Sequence, residues 1–253
     1  MPWELPSDQC ARLRLAKGYP FDAPTSSYLF RDGGPVAFSE IQNARVNLSD
    51  RKAVIAHGSN RAPEQLARKF SGHPSGHETI PVTAIWLENH DVVYSAHVAR
   101  YGSVAAELIH CPGTDVQVFI TWLTDAQLKR MHETELPGGS YSYGHINSGW
   151  RSADGLNLPV GPLGLAVYRS SIGALNYEGQ PVALSALPAK NRSLLCWSQE
   201  QALSYVHKTF GQDDDIDAAI LHSIQSENYR NTIINGLRKQ SLDVFHPFYT
   251  ISS

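Results

Sequence analysis

The sequence has few cysteines, no long apolar run and no excess of basic residues. Its three cysteines, Cys10, Cys111 and Cys196, are an odd number without metal-ligand spacing, so they support at most one bridge. This excludes a disulfide framework, and each cysteine is expected to be an ordinary core or surface residue. No stretch reaches the roughly eighteen apolar residues of a membrane-spanning helix, so we expect no membrane partner.

The charge balance argues against a nucleic-acid partner. The 253 residues carry 21 Lys and Arg against 24 Asp and Glu, a net charge of -3, whereas nucleic-acid binders usually show a basic excess or stripe. We therefore expect a small-molecule substrate. The sequence is also compatible with a homo-oligomer. The opening residues lack the basic start and apolar stretch of a signal peptide, so the expected compartment is the cytoplasm.

Composition changes along the chain indicate three segments. Residues 1–50 are rich in turn-forming residues and read as an irregular leader, but their aromatic side chains indicate that the leader packs on the body. Residues 51–190 show strand patterns with short helices and are predicted to form the catalytic domain. Residues 191–253 contain helical spacings and are predicted to form a helical extension.

Within the body, a short apolar strand at 53–56 runs directly into His57-Gly58-Ser59-Asn60. Proline at the first helical turn predicts a helix over about 63–70. Residues 112–115 are expected to form a tight turn into a strand at 116–123, whose β-branched and aromatic residues suit a sheet.

A second helix begins at a capping box, in which Thr124 is followed three residues later by Gln127. At 3.6 residues per turn, Leu128, Met131 and Glu135 share one face. A carboxylate that ends an apolar stripe should face the interior or a cleft. Burial there would raise its pKa and suit it to proton transfer near neutral pH.

The pattern leaves a second interpretation of Glu135 open. It could also be a partly exposed residue at a helix end, paired with Arg130 or Lys129.

The loop at residues 57–60 is also open to two interpretations. Gly58 allows close approach of a ligand, and the following amides suit an anion such as a carboxylate at a helix N-terminus. Alternatively, it is a plain turn in which Asn60 caps the helix.

Together, the loop, the turn and the second helix resemble the gamma-glutamylcyclotransferase-like superfamily. The stretch 56–60 followed by Gln65-Leu66 is similar to that family's Tyr-Gly-Ser-Asn loop and its helix. Residues 112–116 are similar to its turn before the central strand. The helix that ends at Glu135 is similar to the family's helix that ends in its catalytic glutamate. The match covers roughly residues 53–170, about the usual size of one domain.

The resemblance implies an α+β fold in which a mixed, barrel-like sheet and short helices surround a pocket. It also implies a reaction in which the α-amine of a γ-glutamyl substrate attacks its own γ-carbonyl, giving 5-oxoproline and a freed amine. Glu135 would take a proton from the ammonium and later deliver one to the leaving nitrogen. The amides of residues 57–60 would hold the substrate carboxylate or the developing oxyanion. The substrate supplies the nucleophile, so no cofactor and no metal are implied.

Two other functions remain open from the sequence. Water could act as the nucleophile in the same pocket, which would make the chain an amidohydrolase or deacylase. The fold could also serve as a non-enzymatic binding module.

The chain departs from the family pattern at several positions. His57 stands where the family usually has tyrosine, and it adds a group that titrates near neutral pH. Tyr141 and Tyr143 bracket the place of a later family tyrosine, and both are candidates for substrate contact. Arg61 is a candidate partner for a substrate carboxylate. His73 and His77 lie in a loop-like stretch, which is poor support for a metal site.

Overall fold

The fold combines helices with one large mixed sheet. A computed structural model describes residues 3–40, 47–70, 72–74, 79–211, 215–244, 246 and 249–251. Within these ranges the helices are α1 (Gln9–Lys17), α2 (Pro63–Phe70), α3 (Asp125–Glu135), α4 (Gln199–Val206), α5 (Ile216–Gln225) and α6 (Glu227–Gln240). Short 3-10 turns cover Phe38–Glu40 and Ser59–Arg61, and a π-helical turn covers His207–Gly211.

The strands of the described residues range from two to twenty residues in length. They are β1 (Tyr28–Arg31), β2 (Gly34–Ala37), β3 (Lys52–Ala56), β4 (Ile80–Val98), β5 (Val104–Leu123), β6 (Tyr141–Ile146), β7 (Trp150–Ser152), β8 (Leu165–Ser170), β9 (Asn176–Tyr177), β10 (Gln180–Pro181), β11 (Ala183–Leu184), β12 (Ala189–Lys190), β13 (Cys196–Trp197) and β14 (Tyr249–Ile251).

One sheet follows the strand order β13-β11-β4-β5-β3-β8-β6-β14, and β1, β2, β7 and β12 join it at the side. The pairs β3–β8 and β11–β13 are parallel, whereas pairs such as β4–β5 are antiparallel, so the sheet is mixed. The expected α+β class is confirmed. The strand path of the described residues ends at β13 and β14, so the barrel-like closure that we expected is not found.

The predicted turn at 112–115 is wrong, because β5 continues through it. In the β4–β5 hairpin, Glu88 pairs with Asp115 and His90 with His110, so residues 111–114 lie opposite Asn89 alone. The amide of Gly113 donates to Asn89 Oδ1 at 2.9 Å, and Gly113 has a φ of +84°. The turn-forming residues therefore produce a bulge, which bends the hairpin without ending it.

The leader is more regular than its composition indicates. It contains α1, where the Asp8 carboxylate caps the helix by accepting a hydrogen bond from the Ala11 amide at 2.7 Å. It also contains β1, which adds to the edge of β4 with Tyr28 opposite Val82. The expectation of an irregular segment was therefore wrong for these residues.

One buried apolar cluster draws on all three segments of the chain. It includes Leu15 and Tyr19 of the leader, Trp122 of β5, and Leu203 and Ile233 of the C-terminal helices. Folding buries the apolar surface of these side chains in one cluster, so the leader, the body and the tail stabilise one another.

The capping box predicted for α3 is confirmed. Thr124 Oγ1 accepts from the amide of Gln127 at 3.3 Å, and Gln127 Oε1 accepts from the amide of Thr124 at 3.0 Å. The capping box fixes the start of the helix, and Glu135 is its last residue, with the amide of the C-cap residue Leu136 donating to the His132 carbonyl. No helix in the described part of the chain has both the length and the apolar composition needed to cross a bilayer.

Candidate active site

The loop 57–60 and Glu135 border the same cavity, which has a volume of about 380 Å³. The loop follows β3, and Glu135 is the last residue of α3. Tyr141 at the start of β6 and the tip of the β4–β5 hairpin form further walls, and the leader contributes Trp3 and Tyr19. Helix α2 and strand β8 also contribute, so many separate elements of the chain meet at this cavity.

The carboxylate of Glu135 contacts two neighbouring elements. Asn60 Nδ2 donates a hydrogen bond to Oε1 at 3.1 Å, and the Lys69 ammonium of α2 forms an ion pair with the same oxygen. No partner of Oε2 is found among the described residues. The side chain is 17 % exposed and lines the cavity, so a ligand can reach it.

The expectation of a raised pKa for Glu135 was wrong. Burial alone would raise the pKa, but the Lys69 ammonium and the hydrogen bonds from Lys69 and Asn60 outweigh burial. The pKa of Glu135 therefore lies below its ordinary value, and the carboxylate is ionised at neutral pH. Sequence reasoning missed this because Lys69 is 66 residues away along the chain.

The loop is held by the centre of the sheet. β3 pairs with β5 on one side and with β8 on the other, and it ends at Ala56, directly before the loop. The 3-10 turn Ser59–Arg61 follows, and its first amides have no acceptor within the turn itself. A side chain on Gly58 would meet the hydroxyl of Tyr19, so the close approach of the leader requires glycine.

His57 is buried and 7 % exposed. Burial lowers its pKa to about 4, although the nearby Glu135 carboxylate opposes this effect. The imidazole is therefore neutral at pH 7. Its Nδ1 has no hydrogen-bond partner among the described residues, and the residue lines the cavity.

Three other residues named from the sequence have different placements. Tyr141 lines the cavity, and burial together with the Glu135 charge raises the pKa of its hydroxyl well above the ordinary value. Tyr143 packs against His132 and Tyr168 and does not border the cavity. Arg61 does not border it either, since its guanidinium donates to the Phe21 carbonyl at 3.3 Å. Neither is retained as a substrate-contacting residue.

Sequence reasoning missed Lys69, Tyr19 and Tyr101, all of which border the cavity. For Lys69 a local signal existed, because Gln65 and Lys69 are four residues apart on α2 and so share a face. Tyr19 and Tyr101 gave no such signal, because only long-range folding brings the leader and the hairpin tip to the loop.

Among the residues that the structure describes, no group of three or more His, Cys, Asp or Glu side chains is arranged to hold a metal ion. His77 lies outside the described residues. The three cysteines are all unpaired.

The arrangement offers complementary chemistry at neighbouring positions of one cavity. Glu135 presents an ionised carboxylate that can bind a cationic group and accept a proton. The loop presents backbone amides at the start of a helical turn, which suit an oxygen that carries negative charge.

Comparison with protein-family models gives no match, and comparison with curated proteins gives none either. Among solved structures, the chain is similar to one described as "Gamma-glutamyl cyclotransferase", with 13 % sequence identity and a TM-score of 0.29. The alignment covers 83 % of this chain and 99 % of that chain. Similarity at this level does not assign the chain to a family.

Proposed function

We propose that the chain cyclises a γ-glutamyl amide, or a related small amide, to 5-oxoproline and releases the amine. One observation carries the proposal: the ionised Glu135 carboxylate and the loop 57–60 border a single cavity, and Asn60 links them. The sequence resemblance of the loop and of α3 to gamma-glutamylcyclotransferases gives the reaction class.

In this proposal the substrate ammonium binds at Glu135. The carboxylate takes one proton, and the free amine attacks the γ-carbonyl carbon to form the new C–N bond. The amides of the loop stabilise the oxyanion. Glu135 then protonates the leaving nitrogen as its C–N bond breaks. The second proton of the former ammonium passes to Glu135 and on to solvent, so the atoms and charges balance.

The remaining wall residues fix the substrate. Tyr141 keeps its hydroxyl proton, because its pKa is raised, and is therefore a hydrogen-bond donor to a carbonyl or carboxylate oxygen. Neutral His57 offers a ring nitrogen as donor or acceptor, depending on its tautomer. Both groups recognise polar atoms without adding charge to the cavity.

Glu135→Gln tests the proposal. The amide cannot accept the proton, so turnover of γ-glutamyl amines should fall about 10²- to 10⁴-fold, while circular dichroism and thermal unfolding still report a folded protein. The matched control is Asp125→Asn, which removes an exposed carboxylate from the first turn of the same helix and should leave turnover unchanged. Wild-type rates in the Glu135→Gln variant would overturn the assignment.

The products decide between cyclisation and hydrolysis. In water enriched in oxygen-18, cyclisation gives 5-oxoproline without the heavy isotope, whereas hydrolysis gives glutamate that carries it. Labelled glutamate as the main product would replace the proposal with an amidohydrolase. The absence of turnover on a broad panel of γ-glutamyl amides would reject both enzymatic functions.

A further inference from the structure

Lys69 is a buried cation inside the candidate active site. Its side chain is only 4 % exposed, and its ammonium contacts Glu135 Oε1 and, at 3.5 Å, Met131 Sδ. The residue borders the cavity together with Gln65, one helical turn earlier on α2. A lysine is almost never fully buried unless it is paired, so the ion pair with Glu135 accounts for its stability there.

Most of the other titratable groups around this pair are neutral near pH 7. Burial raises the pKa of four tyrosine hydroxyls above the ordinary value, those of Tyr19, Tyr101, Tyr141 and Tyr168. Burial also lowers the pKa of His57 and of His97 to about 4. These groups add polarity to the walls but no net charge.

The remaining ions near the pair have partners of their own. Arg130 donates from Nε to the backbone carbonyl of Lys69 at 2.7 Å, and its Nη1 pairs with Glu133 at 3.2 Å. Arg100, at the hairpin tip, donates to the carbonyl of Trp3. Behind Tyr141, burial raises the pKa of Glu107 to about 8, so this carboxyl is mostly protonated at pH 7. Lys69 is therefore the cation that contacts Glu135, while Arg100 and Glu133 are further charged side chains that border the cavity.

A substrate ammonium at Glu135 would share the carboxylate with Lys69. Asn60 and Lys69 both donate to Oε1 of Glu135, so Oε2 is the oxygen that remains for the substrate. Two positive charges would then lie on one carboxylate. A like charge at such a distance disfavours the charged form of its neighbour.

We propose that Lys69 is an electrostatic positioning residue, whose ammonium on Glu135 offsets the charge of the carboxylate and so lets the bound substrate's α-amino group lose a proton and become nucleophilic. This inference rests on the proposed cyclisation and deepens it. An α-ammonium cannot attack a carbonyl, because its lone pair is used by the third proton. Lys69 weakens the hold of the amine on its proton, in the way that a neighbouring cation activates a lysine nucleophile, and Glu135 accepts that proton.

The test is the pH dependence of kcat for a γ-glutamyl amide, compared between the wild type, Lys69→Met and Lys69→Arg. The wild-type acidic limb should lie at or below the substrate's own ammonium titration in water, because Lys69 offsets the charge of Glu135. In Lys69→Met the acidic limb should move to higher pH by at least about one pH unit. This shift corresponds to a fall of about tenfold in kcat at pH 7, and kcat should recover at high pH. Lys69→Arg keeps the positive charge, so its acidic limb should lie at the same pH as that of the wild type.

The split between kcat and KM separates this role from a structural one. In Lys69→Met no ammonium competes for the Glu135 carboxylate, so KM should stay unchanged or fall while kcat at pH 7 falls. A structural defect would instead lower kcat equally at every pH. The control is Lys129→Met, which removes an exposed lysine on α3 and should change neither limb nor KM.

The outcomes are distinguishable. If the wild type forms no 5-oxoproline, the proposed function and this inference both fail. If it does, but the limb does not move in Lys69→Met, only the role of Lys69 is overturned. Should the variant not fold, a wild-type limb above the substrate's solution value would overturn that role by itself, because it would show that the Glu135 charge is not offset.

Discussion

At the residue scale, Asn60 links the loop to the carboxylate of Glu135. Its amide donates to Oε1 at 3.1 Å, while its own Oδ1 is buried with no partner among the described residues. A buried acceptor without a donor costs free energy, so a small shift of the loop that lets a ligand N–H group reach this oxygen would be favourable. The substrate amine in the proposed reaction is such a group.

Asn60→Ala removes that link without removing the carboxylate. A hydrogen bond to a charged group contributes roughly 1.5–3 kcal/mol, so kcat/KM should fall about tenfold to a hundredfold. The pKa of Glu135 should also rise, because the amide stabilises the ionised form. Both effects are measured by kcat/KM as a function of pH.

Asn47→Ala is the control for this substitution, because Asn47 is exposed and its side-chain amide bonds to its near neighbours Asp50 and Ser49. An unchanged kcat/KM in Asn60→Ala would show that the loop does not orient Glu135.

At the scale of elements, the sequence predicted those parts of the site that carry local signals. The capping box placed α3, and with it Glu135, because a cap fixes where a helix begins. The pattern of strand, loop and helix around Gly58 was also predictable. The partner of Glu135 was not, because the pairing of Lys69 with it depends on how α2 packs against α3.

The same scale shows where local signals mislead. Pro112 and Gly113 are turn residues, but the pairing of β4 with β5 extends past them and converts the turn into a bulge. Helix α1 was missed because it has little amphipathic pattern, and its cap at Asp8 is a weak signal alone. In both cases long-range contacts decided the structure.

The contact between the loop and the leader can be tested by a double-mutant cycle. A methyl group at position 58 would overlap the Tyr19 hydroxyl, so Gly58→Ala should cost about 1–3 kcal/mol of unfolding free energy. Tyr19→Phe removes the hydroxyl, although it also loses the 2.9 Å hydrogen bond from the Ala106 amide. The cost of Gly58→Ala should therefore be smaller in the Tyr19→Phe background, by about 1 kcal/mol.

Urea unfolding of the four proteins measures this coupling. The control cycle pairs Gly58→Ala with Tyr177→Phe, since the Tyr177 ring packs against Trp197 and Tyr205 and is not among the contacts of Gly58. Additive effects of Gly58→Ala and Tyr19→Phe would contradict the contact.

At the scale of the whole molecule, the division into leader, body and tail stays a prediction, while the buried cluster connects all three. Buried histidines are spread through the same body. Burial lowers the pKa of His57, His90 and His97 to about 4 and that of His246 to about 3. In the last case the charges of His90 and Arg169 add to the effect.

These histidines predict acid sensitivity. The unfolded chain binds their protons near pH 6.5, whereas the folded chain does so only near pH 4 or below. Their contribution to stability is therefore complete above pH 6.5 and is lost as the pH falls towards 4. For each of these histidines, the free energy of unfolding should decrease by up to about 1.4 kcal/mol for every pH unit across this window.

Urea denaturation at pH 7, 6 and 5 measures the effect. Equal midpoints at the three pH values would show that these histidines are not neutral and buried in the folded protein.

The position of Trp3 on the cavity wall gives the protein an optical reporter of its own. Indole emission responds to the polarity of its surroundings, and the ring lies 5.8 Å from that of Tyr101, which borders the same space. Ligand arrival can therefore be followed by intrinsic fluorescence, without a label and without turnover. Titrations on inactive variants become possible in this way.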